Sequence, residues 1–549
     1  MGEPSDHPRP PSAGSSAGEQ LARYLRWPMP LAVIWVLAPV AGILIRLSLE
    51  PIGPHDYWWA LAMGKLIALS GEIPSANHFL YTMPADAPFV DQPWLGQWAM
   101  YAAYDSFGHA GPLVMRNILA ALAWAGVVVA GLSRCDDPRV VGGLALLTAA
   151  VSGPVFGVRT QMFAFLPYVV LVGVIVAVAD RRIGRPWLLV LAPLCALWAN
   201  VHGTFMLVPV LIGLAGGSLM LERLLEERRL NWSEAGWWTG AGVLCALAAL
   251  ANPQGPGIYT YVFELTFVSH VSSTVTEWQP PGVDTPLGII VMLTLTASLV
   301  VMAIRRKHVR LFEAVLFAAT AYLAVGAVRQ MFWWGAVMLM VVPRHISGVL
   351  AVEPWWNGTT SRAQGIGHAV VVAILVAGGL LSQPGLAVHW LGSKLTEGLS
   401  RRSDPGQGVL SVMNPTGLVS GLEERGYPPR IFHDQAVGGY LDFALGIDGA
   451  AAEDTLVAEQ ARQVAFVDQR IELIDEEIWG EYFQLSRAEE GYEEIIERYG
   501  IRSMLLWPEE QWRLIQTLQA DKDWALVGVD EGHLLFVHSD EREYITRWR

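Results

Sequence analysis

Apolar segments long enough to cross a bilayer recur along the first 383 residues, and they constrain the fold of this chain more than any other feature. A helix crosses the hydrocarbon layer in about 20 apolar residues. By that criterion the sequence predicts about eleven spans: 30–48, 112–132, 139–157, 161–179, 186–200, 203–221, 235–251, 286–304, 311–327, 330–347 and 366–383. Composition agrees, since only 16% of the residues are charged against about 25% in soluble proteins. We therefore expect a polytopic α-helical membrane protein.

Acidic charge is concentrated after the last span. The net charge is -14, and residues 384–549 hold 30 Asp and Glu against 15 Lys and Arg. This balance excludes a protein that binds nucleic acid by general phosphate attraction. In the same region, strand-like runs at 430–433, 464–467, 504–506 and 533–537 alternate with helix-like acidic runs such as 488–499. The pattern predicts a small α/β domain at 384–549 behind a transmembrane domain at 28–383.

Lys and Arg collect in alternate connections between the spans. The basic connections hold, for example, Arg181, Arg182 and Arg185, and then Arg305, Arg306, Lys307 and Arg310; the opposite set holds only Arg46, Lys65, Arg159 and Arg329. The positive-inside rule therefore predicts a cytoplasmic N-terminus and an extracytoplasmic C-terminal domain. Residues 1–27, rich in Pro, Ser and Gly, are expected to form a disordered cytoplasmic tail.

The cysteines and glycine motifs predict no cofactor. Cys135, Cys195 and Cys245 are too widely spaced for a disulfide frame or a zinc site, so they are interpreted as packing residues. The sequence contains neither a Walker A phosphate loop nor a dinucleotide-binding glycine fingerprint.

Two outer loops, 49–111 and 252–285, are long, and loops of this length usually serve function. The first contains two stretches, 57–69 and 94–107, in which Trp and Tyr alternate with small and polar residues. This composition is typical of helices that lie in the interface plane of a membrane.

Two carboxylates of the first outer loop are candidate catalytic groups. Asp56 follows the first span closely, where partial desolvation can bring a carboxylate into the range of a general base. Asp91 is the second candidate. The alternative is that Asp56 caps the helix at 57–69 and Asp91 the helix starting at 93. The sequence leaves both readings open.

Arginines on the sparsely charged face predict an anion site. Arg159 and Arg329 lie in very short outer turns, and a guanidinium there can donate two parallel hydrogen bonds to a lipid phosphate. The same face carries further candidate substrate-binding residues, namely Gln161, Asn200, His202, Glu277 and Trp278. The alternative for each arginine is snorkelling or pairing with a helix C-terminus. No Asp or Glu occupies the middle of a predicted span, which argues against an ion-coupled transporter.

The first outer loop resembles that of the bacterial GT-C superfamily of polytopic glycosyltransferases, which are related to the dolichyl-phosphate-mannose protein mannosyltransferases. The matching stretches of the loop are DYWW at 56–59 with Gly64, GEIP at 71–74, FLYT at 79–82 and WL at 94–95. Further matches are RTQMF at 159–163, LWANVHG at 197–203, ANPQG at 251–255, EW at 277–278, GGYL at 438–441 and VDQR at 467–470. The resemblance therefore covers most of the chain after residue 50.

The resemblance implies a GT-C-like fold, a polyprenyl-linked sugar donor, inverting transfer, and an acidic residue after the first span that acts as base or metal ligand. Asp56 occupies that position. Relatives carry His where this chain has Ala60, Asp where it has Asn77, and His-Glu where it has Gln92-Pro93. These departures predict that no metal is bound, so that Asp56 acts without one or Asp91 substitutes for it.

Three hypotheses follow. The first is a glycosyltransferase of the bacterial cytoplasmic membrane that uses a lipid-linked sugar donor and an acceptor of unknown identity. The second is a catalytically degenerate subunit or scaffold with the same fold, which binds membrane lipid or a protein partner through the C-terminal domain. The third is a transporter of lipid-linked glycans, disfavoured by the absence of midplane charges and of an internal repeat.

Overall fold

The computed structural model describes residues 26–152, 155–268, 276–350, 360–384, 386, 409–448, 463–471, 473–530 and 532–549. The predicted tail at 1–27 lies outside these residues except for its last two.

Fifteen α-helices are described before residue 384, several joined by short 3-10 turns. They are α1 (Ala32–Leu49), α2 (His55–Ser70), α3 (Trp94–Phe107), α4 (Ala110–Leu132), α5 (Pro138–Ser152), α6 (Met162–Ala179), α7 (Leu191–Ala199), α8 (Leu207–Glu227), α9 (Trp232–Ala248), α10 (Gly257–Phe263), α11 (Pro286–Ile304), α12 (Leu311–Gly326), α13 (Met331–Val341), α14 (Pro343–Leu350) and α15 (Arg362–Leu381).

Each segment predicted as a span contains a helix, and the protein is a multi-pass α-helical membrane protein. Six helices of the described chain are long and apolar enough to cross a bilayer, and a bent pair, Val328–Val341 with Pro343–Leu350, makes seven. Three shorter apolar helices, Pro138–Ala150, Arg185–Ala199 and Leu311–Gly326, fall below that length. The bend of 45° occurs where Pro343, which lacks a backbone N–H, starts a new helix. The count of eleven spans stays a prediction.

Helix α13 forms the centre of the transmembrane core. All of its residues are buried, and it packs against α4, α5, α6 and α12. A helix that is apolar all round has no polar stripe to present to water, so it is stable only when surrounded. The short 3-10 turn Val328–Gln330 leads directly into α13, which fixes the position of Arg329.

The first outer loop forms a helical hairpin of α2 and α3. Gly64 makes the close packing possible, because a Cβ there would collide with the backbone carbonyl of Gln97. Helix α2 buries Tyr57, Trp58 and the run 60–64, so much of its surface packs against protein. That 57–69 lies in the interface plane of a membrane stays a prediction. Helix α3 keeps an exposed aromatic surface, with Trp98 at 45% and Phe107 at 75% exposure.

The C-terminal region is a small α/β unit. Its elements are α16 (Thr416–Arg425), β1 (Ile431–His433), α17 (Gly438–Leu441), α18 (Glu476–Ser486), α19 (Tyr492–Tyr499), β2 (Ser503–Leu506), α20 (Pro508–Ala520), β3 (Trp524–Asp530), β4 (His533–His538) and α21 (Arg542–Trp548). The described strands form one sheet of order β1-β2-β4-β3, in which β1 and β2 are parallel and the other pairs antiparallel.

Three of the four predicted strands are confirmed. The run 464–467 is not a strand, although Ala465 forms a single parallel bridge with Leu80 of the first outer loop. Strand β3 was not predicted. The helix expected at 488–499 begins only at Tyr492, because Gly491 adopts a left-handed conformation with φ of 90°.

The first outer loop and the C-terminal unit share a core. Leu80 packs in the same buried cluster as Phe432, Phe466 and Met504. On the other side of the loop, Trp58 of α2 stacks on Tyr440 with ring centroids 4.0 Å apart. A Cβ at Gly439 would come within 2.7 Å of the Trp59 backbone nitrogen, so glycine is needed for this contact. The C-terminal unit therefore lies on the same side as the 49–111 loop.

Candidate active site

Arg159 is the centre of the candidate site. It lies in the turn between α5 and α6, where its carbonyl accepts a hydrogen bond from the Met162 N–H at 3.0 Å. Helix α3 supports this turn, since Gly96 lies against the side chains of Thr160 and Phe163. The side chain of Arg159 is 14% exposed.

Two carboxylates from distant segments pair with the same guanidinium nitrogen. Arg159 Nη1 lies 2.7 Å from Glu277 Oε2 and 3.4 Å from Asp56 Oδ2. Burial alone would lower the pKa of Arg159, but the charges of Glu277 and Asp56 raise it above its ordinary value. Asp56 and Glu277 are 43% and 38% exposed, so the cluster is open on the carboxylate side.

Asp56 occupies the first turn of α2 and is not its cap. The helix begins at His55 with Pro54 at the N-cap position, and the N-cap side chain makes no capping hydrogen bond. A carboxylate in the first turn is favoured by the helix dipole, but its side chain is directed to Arg159. Asp56 therefore does not cap α2, and its carboxylate pairs with Arg159 instead.

The second outer loop and the turn before α13 meet at this cluster. Glu277 and Trp278 belong to the 3-10 turn Thr276–Trp278, and the Val328 N–H donates to the Gln279 carbonyl at 3.0 Å. The guanidinium carbon of Arg329 lies over the Trp278 ring, 4.4 Å from its centroid. This cation–π contact orients Arg329 without neutralising it.

His202 is a neutral hydrogen-bonding group at the edge of the cluster. Its Nδ1 accepts the Thr204 backbone N–H at 3.2 Å, which leaves the ring proton on Nε2. Burial, followed by the charges of Arg329 and Arg159, lowers the pKa of His202 well below its usual 6.5. His202 can thus offer one N–H donor but no positive charge.

The remaining predicted site residues lie in the protein framework around the cluster. Asn200 accepts the Trp94 Nε1–H at 2.7 Å and donates to the carbonyls of Ala196 and Ala251 at 2.8 and 3.0 Å. Gln161 is 1% exposed, and its side-chain oxygen accepts no hydrogen bond from any described residue. Asp91 is 2% exposed and lies two residues before the N-cap position of α3.

The guanidinium of Arg159 has unused donors. Its Nε and Nη2 atoms are buried and have no hydrogen-bond partner within the described part of the chain. Buried donors normally find an acceptor, because an unpaired one loses its hydration without compensation. Two adjacent N–H groups of one guanidinium fit two oxygens of a phosphate.

Sequence reasoning missed Arg116, which supports the Arg159 turn. This residue of α4 is 2% exposed and donates to the carbonyls of Leu47 and of Phe156, the latter at 3.1 Å. Phe156 is three residues before Arg159. The signal that could have indicated it is a single arginine inside the apolar segment 112–132.

The positions that depart from the GT-C pattern have structural contacts. The Asn77 amide donates to the Leu80 carbonyl at 2.8 Å, and its oxygen accepts the Leu80 N–H at 3.1 Å. Gln92 donates to the Ala199 carbonyl at 2.7 Å. Within the described residues, no group of three or more His, Cys, Asp or Glu side chains could hold a metal ion. That no metal is bound stays a prediction.

Several solved structures are similar to this chain. One is the apo oligosaccharyltransferase of Archaeoglobus fulgidus, at 12% identity, covering 86% of this chain and 69% of that one, with a TM-score of 0.46. Another is ArnT of Cupriavidus metallidurans in the apo state, at 13% identity, covering 91% and 96%, with a TM-score of 0.46. The same oligosaccharyltransferase with Zn and sulfate gives 12% identity, 86% and 68% coverage and a TM-score of 0.44. No protein-family model and no curated protein matches the sequence. The chemistry must therefore be inferred from this chain's own residues.

Proposed function

We propose that the protein is a glycosyltransferase of the bacterial cytoplasmic membrane. It moves a sugar from a polyprenyl-phosphate-type donor to an acceptor of the cell envelope at the outer face. The observation that carries this proposal is Arg159, whose Nη1 pairs with Asp56 while its Nε and Nη2 have no partner among the described residues. A candidate base and an anion-binding group thus lie at one point, next to the predicted membrane surface.

The proposed reaction is a displacement with inversion at the anomeric carbon. Asp56 accepts the proton of the acceptor hydroxyl as its oxygen attacks, and the bond between the anomeric carbon and the phosphate oxygen breaks. Negative charge develops on the departing phosphate, where Arg159 and Arg329 stabilise it and His202 donates an N–H. Glu277 orients Arg159. Asp91 is the substitute base, to be tested after Asp56.

The proposed orientation has the site and the C-terminal unit on the extracytoplasmic side. Loop 49–111 contacts both the Arg159 turn and the C-terminal unit. The opposite ends of the helices carry the basic connections predicted to be cytoplasmic. Sugars activated on nucleotides are made in the cytoplasm, so an enzyme on the other side requires a lipid-carried donor.

The test is sugar transfer by the purified protein in liposomes containing polyprenyl-phosphate-linked sugars. We expect the wild-type protein to transfer sugar, and Asp56→Asn to lose at least about a thousandfold of that rate while folding and inserting normally. Asp105→Asn, on the same hairpin and without a role in the site, serves as the matched control. Wild-type-like turnover in Asp56→Asn would remove Asp56 from the mechanism.

A second candidate function is a non-catalytic subunit that binds a lipid or a partner protein. The contacts of Asn77 and Gln92 favour it. At these positions, which differ from the GT-C pattern, the side chains form hydrogen bonds to backbone carbonyls of the protein. Stoichiometric copurification with another protein, together with no transfer from any polyprenyl-linked donor, would support this candidate. Detected turnover excludes it. Movement of the lipid-linked sugar across the membrane without bond formation would indicate a transporter.

A further inference from the structure

The first residues of the C-terminal unit, 409–414, form hydrogen bonds to the segment immediately before α2. The Ile52 N–H donates to the Val409 carbonyl at 2.8 Å, and the Ser411 N–H donates to the Ile52 carbonyl at 2.9 Å. Ile52 and Leu410 thereby form a parallel bridge. The segment immediately before α2 is thus held by chain more than 350 residues away in sequence.

The Asn414 side chain forms hydrogen bonds both to Ile52, which precedes α2, and to Trp58, which lies within it. Its Nδ2 donates to the Ile52 carbonyl at 2.8 Å, and its Oδ1 accepts the Trp58 Nε1–H at 2.6 Å. Asn414 is fully buried and Trp58 is 2% exposed. Ile52 and Trp58 lie on either side of Asp56 in sequence, so one amide side chain fixes the backbone around the candidate base.

Asn414 contacts the side of α2 that lies opposite to Asp56. Asp56 and Trp58 are two residues apart, which places their side chains roughly 200° apart around the helix. Trp58 faces the C-terminal unit, where it also stacks on Tyr440 with an interplanar angle of 12°. Asp56 faces Arg159. Asn414 therefore reaches neither Arg159 nor a bound donor directly.

We propose that Asn414 is a positioning residue: through Trp58 and Ile52 it holds α2 so that Asp56 remains at the Arg159 guanidinium. The proposal rests on the proposed function insofar as Asp56 is the base. It assigns the C-terminal unit a role in the site that requires no contact with the acceptor. A buried amide that hydrogen-bonds to both Trp58 and Ile52 is suited to this role, because its loss leaves the buried Trp58 indole N–H unpaired and removes one of the two hydrogen bonds to the Ile52 carbonyl.

Two variants and one matched control test the proposal by turnover. Asn414→Ala removes the hydrogen bonds to the Ile52 and Ser411 carbonyls and to the Trp58 indole. Trp58→Phe removes only the indole donor while keeping an aromatic ring against Tyr440. Trp548→Phe is the control, since the Trp548 indole is also buried in the C-terminal unit and donates to the Gly426 carbonyl at 3.3 Å. We expect both test variants to lower kcat about tenfold or more with less than a twofold change in KM for the donor, and Trp548→Phe to change neither.

A second readout does not depend on turnover. Cysteines placed at Asp56 and Glu277, whose carboxylates share one guanidinium nitrogen, are bridged by a short thiol-reactive crosslinker in the full-length protein. The three native cysteines of the chain are buried. We expect crosslinking to slow at least several-fold when Asn414→Ala or Trp58→Phe is added, and to be unchanged with Trp548→Phe.

The two readouts separate the possible failures. Unchanged crosslinking in both test variants overturns the positioning role, whatever happens to turnover. Slower crosslinking together with no transfer by the wild-type protein removes the proposed function but keeps the role of Asn414 in placing residue 56. If Asn414→Ala fails to fold, the crosslinking rate of Trp58→Phe decides the matter.

Discussion

Two arginine clusters at opposite faces of this protein differ in how completely they are neutralised. At the predicted cytoplasmic ends of the helices, Glu313 is fully buried and its two oxygens lie 2.5 Å from Arg134 and from Arg344. Arg134 is itself saturated by Asp180 at 2.8 Å and the Met340 carbonyl at 2.7 Å. At the outer face, the two carboxylates that pair with Arg159 are well exposed, and part of its guanidinium is unused among the described residues.

The comparison teaches that charge alone does not distinguish a structural cluster from a site. A buried network with every group paired stabilises helix packing and leaves no capacity for a ligand. A cluster with buried donors to spare and carboxylates open to solvent is arranged for an additional anion.

Replacing Arg159 should have the largest effect on function and little effect on stability. Arg159→Gln removes the group that stabilises the departing phosphate, so we expect transfer to fall by roughly 10²- to 10³-fold. The carboxylates of Asp56 and Glu277 remain hydrated, so the melting temperature should hardly change. Arg159→Lys keeps the charge without the paired donors and should recover only part of the rate. Wild-type transfer by Arg159→Gln would remove this residue from the site.

Glu313→Gln should produce the opposite result. It leaves Arg134 and Arg344 without their common partner, and breaking a buried pair costs roughly 3–5 kcal/mol. We expect a melting temperature lowered by several degrees in detergent, with unchanged kcat for the protein that stays folded. A drop in kcat at unchanged stability would contradict the division between the two clusters.

Gly439→Ala should disturb the contact between α2 and the C-terminal unit. The new methyl group would meet the Trp59 nitrogen at 2.7 Å and the Trp59 Cβ at 2.8 Å, and overpacking of this kind typically costs about 1–3 kcal/mol. We expect a lower melting temperature and a moderate loss of transfer. Gly480→Ala, where a Cβ meets nothing within 4 Å, is the control and should be silent.

His202→Gln should have the smallest effect, visible mainly in the pH dependence of stability. Because the pKa of His202 is lowered in the folded protein, the unfolded chain binds a proton that the folded one does not. Stability is therefore lost as pH falls below the unfolded value near 6.5. We expect the melting temperature of His202→Gln to depend less on pH between 7 and 5 than that of the wild type. Identical pH profiles for the two proteins would show that His202 is not held neutral.

The sequence predicted the helices well, because hydrophobic length depends on local composition alone. Segment 161–179, for example, agrees with α6 to within one residue at its start. The sequence also predicted that Arg159, His202, Glu277 and Arg329 lie on one outer face, since their connections alternate with the basic ones. The structural role of Asn200, which hydrogen-bonds to Trp94 and to two backbone carbonyls, was not predicted. The sequence of an asparagine does not reveal whether its partner is a ligand or the protein backbone.

The contribution of the C-terminal unit could not be predicted either. Asn414 and Ile52 are separated by 362 residues, and their contact depends on how two independently patterned regions dock. From the sequence, the motifs GGYL and VDQR are only stretches that resemble the GT-C superfamily. In the structure, the Gly439 N–H donates to the Gln469 side-chain oxygen at 3.1 Å, and Gly439 also lies against Trp59.

The most direct measurement of the central claim is an experimental structure of the full-length protein with polyprenyl phosphate bound in a lipid nanodisc. We predict phosphate density within hydrogen-bonding distance of Arg159 Nε and Nη2, near Arg329 and the Nε2–H of His202, with Asp56 facing the same space. Phosphate density bound elsewhere, with the Arg159 guanidinium contacted only by protein, would contradict the account.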